Sequence, residues 1–158
     1  MVSECPTYST VQLEVSGSSA YSHMYPLEVP AESVGYSYSA AESLDVLEIN
    51  GFFFLRFGYT GMSGSILLNP ETGEVVESEE DLSRVSLVNT SLERFSECVR
   101  AVVDRCPFYS DDASDEEWES AANDVERIVC TIDPNAYFEG GYWNEMVSDI
   151  MMGDYAGG

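Results

Sequence analysis

The sequence predicts an α+β fold: a mostly antiparallel sheet packed against helices, in a single domain spanning residues 1–158. Three observations carry this reading. Short strand signals separated by turns fill residues 50–88. The apolar period then changes from two to 3.6 at Thr90. Two more amphipathic stretches follow before residue 152. A meander that feeds a run of helices is an α+β arrangement, so we expect a strand-rich part over 8–88, a helical part over 90–152 and a frayed tail over 153–158.

Tyr8–Ser16 alternates after Thr10, with Val11, Leu13 and Val15 on one side and Gln12, Glu14 and Ser16 on the other. That is the pattern of a half-buried strand. Gly17-Ser18-Ser19 reads as a turn. Residues 20–40 are rich in Ser, Tyr and Pro, and Val34–Ser39 is a candidate second strand. Ala41–Ile49 fits neither period cleanly; we assign a strand from Asp45 to Ile49.

Asn50–Arg105 organises the chain. Gly51–Phe57 is a bulky apolar run of strand length. Gly58–Gly64 is expected to be a flexible loop before the next strand, Ser65–Asn69. Asn69-Pro70-Glu71-Thr72-Gly73 is a turn: Pro70 presets its φ, and Gly73 tolerates the positive φ that returns the chain. Glu74–Glu77 runs back as an antiparallel partner, and Val85–Val88 is one more strand. Thr90-Ser91-Leu92-Glu93 is a capping-box sequence, in which the Thr90 hydroxyl accepts from the Glu93 amide. Leu92, Phe95, Val99, Val102 and Cys106 share one helical face, with Cys98 and Val103 beside it, and Pro107 stops the helix. Ser114–Glu117 is a second capping box, opening a helix with Trp118, Ala121, Ala122, Val125 and Ile128 or Val129 as its stripe. Asp133-Pro134-Asn135 ends it. A last helix after Gly140-Gly141 carries Trp143, Met146, Val147 and Ile150.

Charge is the outstanding feature of the composition. There are 29 acidic residues against six arginines and no lysine, a net charge of −23. Such a chain repels nucleic acid and anionic membrane and attracts basic partners. Adaptation to high salt and plain solubility are the bland alternatives. Without lysine there is no P-loop lysine, Schiff base or serine–lysine dyad. The one histidine, His23, sits among tyrosines and reads as structural or surface. Cys5, Cys98, Cys106 and Cys130 read as reduced thiols of a cytoplasmic protein; Cys98 and Cys106 are about 12 Å apart along a helix, beyond disulfide reach. No C-x-x-C occurs, and no histidine neighbours a cysteine, so zinc is not expected. The first residues carry neither the basic region nor the apolar core of a signal peptide. No apolar run approaches the ~20 residues of a membrane span.

Each candidate site has a plain alternative. Gly58–Gly64 lacks the middle glycine of a dinucleotide loop, because Thr60 stands there. It leads into a strand, and it misses the nucleophile elbow at Ser65. Neither Asp111 nor Asp133 opens an EF-hand loop, since Ala113 and Phe138 occupy required positions. The tyrosines of residues 8–38 suit an interface or ordinary strand packing. No catalytic residue, cofactor or metal is therefore expected. Two acidic runs remain: Glu79, Glu80 and Asp81, with Glu77 before them, and Asp111, Asp112, Asp115 and Glu116, continuing to Glu117 and Glu119. They read either as a surface for a basic protein partner or as solvated charge that complements a helix dipole.

The hydrophobic hairpin over Leu68–Val76, the helix start Val88–Phe95 and a C-terminal tryptophan helix near Trp143 together resemble the SUKH superfamily, in particular its SUKH-4 branch. The likeness covers Gly51–Arg105 and, more loosely, the C-terminal third. It implies an immunity protein that binds a cognate polymorphic toxin, a nuclease or nucleic-acid deaminase, and occludes its basic active-site surface. It implies neither catalysis nor direct nucleic-acid binding. Two other classes stay open: an acidic nucleic-acid mimic that inhibits DNA-binding enzymes, and a scaffold or adaptor without a toxin target.

Overall fold

The computed structural model describes residues 5–15 and 26–155. The expected turn at Gly17–Ser19, His23, Tyr21 and Tyr25 lie outside the described residues. Among the described residues seven strands precede three helices. They are β1 (Thr10–Leu13), β2 (Leu27–Pro30), β3 (Ser39–Ile49), β4 (Phe52–Thr60), β5 (Gly64–Leu68), β6 (Val75–Ser78) and β7 (Val85–Asn89), then α1 (Leu92–Asp104), α2 (Asp115–Ile132) and α3 (Tyr142–Met151), with a 3-10 turn at Pro134–Ala136. β3 to β7 form an antiparallel meander in chain order, and β1 and β2 pair as a separate ribbon. The α+β expectation is met.

The meander follows from its turns. Asn50 (φ 53°) and Gly51 (φ 86°) both take positive φ between β3 and β4. That is the two-residue hairpin that Asn-Gly favours, because its twist matches that of the strands. At the β5–β6 turn the Asn69 Oδ1 accepts from the Glu71 and Thr72 amides at 2.9 and 3.2 Å. Gly73, at φ 81°, donates its amide to the Asn69 carbonyl at 2.8 Å. This is the turn read from the sequence.

Several elements differ from expectation. Val34–Ser39 is not a strand. It turns at Gly35 (φ 57°), the Ser37 amide bonds the Val34 carbonyl, and pairing resumes only at Ser39. β2 was not anticipated, because four residues ending in proline give little periodic signal. β3 begins at Ser39 and contains a register shift between Ala40 and Asp45, which is why residues 41–49 fit neither period. The expected loop at Gly58–Gly64 shrinks to a turn at Gly61–Ser63. Gly58 belongs to β4, where a Cβ would lie 2.9 Å from the Ser39 carbonyl oxygen and collide with the Tyr38 ring. The tail departs from fraying as far as Tyr155. Its ring meets Phe108 edge-on at 5.3 Å, and its amide donates to the Tyr109 hydroxyl at 3.2 Å.

The cysteines require a correction as well. Cys5 and Cys106 are joined in a disulfide with Cα atoms 5.6 Å apart. Only Cys98, which is buried, and Cys130 are free thiols. The bridge spans 101 residues and leaves no local spacing for a sequence reading to detect.

One face of the sheet packs on the helices. Leu55, Phe57, Ile66, Leu68, Val75 and Val88 meet Phe95, Val99, Val102, Val129, Trp143 and Ile150 in a single core. Phe95 sits among aromatic rings, edge-on to Tyr38 at 5.1 Å and to Phe57 at 5.7 Å. The opposite face of the sheet carries a small second core of Ile49, Phe54, Leu67 and Val76, with Leu47 and Leu82 packed on it.

Between sheet and helices lies a buried polar clasp. Asp133, fully buried at the end of α2, accepts from the Asn89 Nδ2 at 3.0 Å, the Thr90 amide at 2.8 Å and the Thr90 hydroxyl at 2.9 Å. The Arg94 guanidinium approaches it at 3.5 Å. The Asn89 Oδ1 in turn accepts from the Trp143 Nε1 at 2.9 Å. This corrects the first capping box. Thr90 is spent on Asp133, and Ser91 is the N-cap, accepting from the Arg94 amide at 3.1 Å. The second box is as read, with Ser114 accepting from the Glu117 amide at 3.3 Å.

Replacing Asp133 by alanine strands three donors, one of them buried and two partly buried. The expected destabilisation is about 3 kcal/mol, read as a lowered urea midpoint with an unchanged slope. The exposed Glu119→Ala should stay within about 0.5 kcal/mol of the parent. A comparably small loss for Asp133→Ala would contradict the clasp.

Candidate partner-binding site

Seven acidic residues were candidates from the sequence, and the structure exposes all of them. Glu79, Glu80 and Asp81 occupy the β6–β7 loop. The Asp81 Oδ1 accepts from the Ser83 amide and hydroxyl at 3.1 and 2.9 Å, and the Leu82 amide donates to the Glu79 carbonyl at 3.0 Å. Asp111, Asp112, Asp115 and Glu116 precede and open α2, where the helix N-terminus favours negative charge. The Asp112 carboxylate accepts from the Ser110 hydroxyl at 2.9 Å. The two runs do not share a recess. Glu79 lines one groove, while Glu116 lines another beside Tyr109 and Arg127.

The first groove, of about 720 Å³, opens where α3 parts from the sheet. Glu77 reaches it from β6, Glu79 and Arg84 from the β6–β7 loop, Glu145 and Asp149 from α3, and Tyr36 and Tyr142 form its aromatic walls. Residues 145 and 149 are four apart, so they project from one side of their helix. Glu77 has the same strand parity as the fully buried Val75, which turns it toward the helical layer. Burial, then the Glu145 and Glu79 carboxylates, push the Glu77 carboxyl up to about 7. Burial, with Asp154 adding to it, also raises Asp149. Burial raises the Tyr142 phenol, whose hydroxyl donates to the Ser37 carbonyl at 2.6 Å.

Four carboxylates face one guanidinium in this groove. Elsewhere the arginines are largely engaged. Arg56 pairs with Asp45 at 2.9 Å, Arg105 with Asp124 at 2.8 Å, Arg127 also with Asp124, and Arg94 with Asp133. Among the described residues Arg84 forms no ion pair. Most of the 29 acids therefore lack an internal counter-charge and act on whatever approaches. The groove suits a cationic side chain, and its lining includes neither histidine nor cysteine. Among the described residues no group of three or more His, Cys, Asp or Glu is placed to hold a metal ion. None of their helices is long and apolar enough to cross a membrane.

Of the groove's carboxylates, Glu79 was a sequence candidate and Glu77 a neighbour of that run; Glu145 and Asp149 were missed. Their i, i+4 spacing and the parity of Glu77 with Val75 were the available signals. Neither reveals that helix and strand meet.

The Glu77 shift has a consequence for stability. A carboxyl with a raised folded-state pKa holds its proton more tightly folded than unfolded. That preference stabilises the fold below the ordinary carboxylate range and is lost as pH rises to about 7. Glu77→Gln should therefore add about 1 kcal/mol at pH 8 and change little at pH 4, by urea denaturation at both values. Equal effects at the two pH values would contradict this environment.

A family model described as the SUKH-4 immunity protein matches residues 37–149. The match runs from the segment before β3 into α3 and takes in the meander, the clasp and most of the groove. No curated protein and no solved structure matches the chain significantly. With well over half of its length matched by that model, the chain belongs to the SUKH-4 immunity protein family.

Proposed function

We propose that this SUKH-4 protein neutralises a basic toxin, a nuclease or nucleic-acid deaminase, by docking an acidic surface over the groove that binds the toxin's substrate. The observation that carries this reading is the uncompensated charge: −23 overall, with all seven candidate acids exposed on a member of an immunity family. An enzyme that grips phosphates needs a cationic surface. An inhibitor with the opposite field meets it fast and competes with its substrate. On this reading the chain acts by occlusion, with no catalytic step or cofactor, in the cytoplasm where the toxin's nucleic-acid targets lie.

Glu79, Glu80 and Asp81 form one proposed contact and Asp111, Asp112, Asp115 and Glu116 an alternative one, since the two runs do not share a recess. The test is to express toxin domains encoded beside this gene, with and without the chain, and to assay the purified toxin's activity on its nucleic acid. We expect growth rescue, stoichiometric inhibition, and an association rate that falls about tenfold or more between low and high salt. Inhibition of several unrelated DNA-binding enzymes would instead indicate nucleic-acid mimicry. Absence of protection against every neighbouring toxin would refute the proposal.

A further inference from the structure

The β3–β4 hairpin ends in two phenylalanines that the fold leaves in water: Phe52 is 64% exposed and Phe53 49%. They directly follow the Asn50-Gly51 turn, whose backbone admits little variation. Phe52 lies opposite Ile49, and Phe53 lies opposite Glu48. Neither belongs to the buried clusters on the two faces of the sheet.

The acidic loop 79–84, remote in sequence, is fastened beside this tip. The Asn50 Nδ2 donates to the Ser83 carbonyl at 2.9 Å. Leu82 packs into the second core with Ile49 and Phe54, the strand neighbours of the turn. The loop is held from within as well, since the Ser78 hydroxyl donates to the Arg84 carbonyl at 2.9 Å. Leu82 sits at φ 52°, a left-handed conformation that leucine rarely adopts and that persists only where surroundings impose it. Strain of this kind concentrates at functional sites. The loop thus presents Glu79, Glu80 and Asp81 from a fixed frame on the sheet face of Phe52, which shares the strand parity of Phe54, while Phe53 shares that of Leu55 and turns to the opposite face.

We infer that the β3–β4 hairpin tip and loop 79–84 form one docking surface, in which Phe52 enters an apolar recess on a basic protein whose Lys and Arg side chains meet Glu79, Glu80 and Asp81. Aromatic anchors within a charged rim are the usual anatomy of a specific interface. The charge selects the occupant. A two-fold contact with a second copy would set these acids against themselves in a chain of net charge −23. An anionic lipid surface would repel them. The inference rests on the immunity reading and adds to it the face that contacts the toxin. It favours loop 79–81 over the acids of residues 111–116, because loop 79–84 is bonded directly to the hairpin tip that bears the exposed Phe52 ring.

The test uses a catalytically inactive toxin domain identified by the co-expression assay, with kinetics measured on the full chain. Three variants are compared: Phe52→Ser; Glu79→Lys with Glu80→Lys and Asp81→Lys; and Asp111→Lys with Asp112→Lys, Asp115→Lys and Glu116→Lys. Phe52→Ser should raise Kd about 30-fold or more, chiefly through dissociation. The loop reversal should slow association about tenfold and flatten its salt dependence. The third set should stay within about threefold. Circular dichroism should show all three folded, with some loss of melting temperature in the two lysine sets because Asp81 accepts from Ser83 and Asp115 and Glu116 sit at the α2 N-terminus, so that loss of binding is not loss of fold. Parent-like affinity in the first variant, or loss in the third set alone, would overturn the inference while leaving the immunity function standing. Self-association of the parent that disappears in the first variant would assign the patch to a second copy and overturn it too. If the parent binds no toxin, the functional reading fails, and this surface with it.

Discussion

Asp133 is where the layers of this protein meet. Its carboxylate closes hydrogen bonds from Asn89 and Thr90 at the end of β7, and Arg94 reaches it from α1. Asn89 in turn holds the Trp143 indole of α3. A carboxylate with no exposed surface is tolerable only when nearly every lone pair is engaged. Engaging them here requires β7, α1, α2 and α3 to adopt one mutual arrangement. Hydrophobic burial of Phe95, Val99 and Trp143 supplies the driving force but little direction. The polar clasp supplies direction, because a shifted helix would leave buried donors without acceptors. Cys5–Cys106 adds a covalent tie from the N-terminal segment to the end of α1.

A frame held in this way can carry a surface that is electrostatically unfavourable to itself. The acids concentrate where the fold does not need them neutral: on the β6–β7 loop, before α2, and around the mouth between sheet and α3. Four of the six arginines are engaged with Asp45, Asp124 and Asp133. The remaining field therefore points outward. Glu77 marks the limit of this arrangement. It has gone far enough into the interior for its carboxyl to prefer the neutral form at mildly acidic pH. Self-repulsion of this kind opposes folding and favours meeting a basic partner, which is the compromise expected of an inhibitor that must bind fast.

The parts of the fold legible in the sequence were those with local causes. Asn69–Gly73 declares its turn through Pro70 and Gly73, Ser114 announces α2, and the apolar stripes of α1 and α3 name Phe95, Val99, Trp143 and Ile150 correctly. The misread parts have distant causes. Thr90 looked like a cap because its spacing to Glu93 allows one; a carboxylate 43 residues away claims it instead. Gly58 looked like the start of a loop, yet its missing side chain leaves room for Tyr38. The Cys5–Cys106 bridge depends on where two segments end in space. The site was legible only as charge. Which acids gather around a groove, and that loop 79–84 is fastened to the Asn50–Gly51 turn, depends on pairings such as Asn50 with Ser83 that no periodicity encodes.

Amide hydrogen exchange on the chain, alone and bound to its toxin, tests most directly whether a rigid frame presents this one surface. New protection should appear at residues 50–53 and 79–84. The slowly exchanging amides of α1 and β5 should remain as they are in the free protein. Protection confined to residues 111–119, or a change that spreads through α1 and the interior strands on binding, would contradict it.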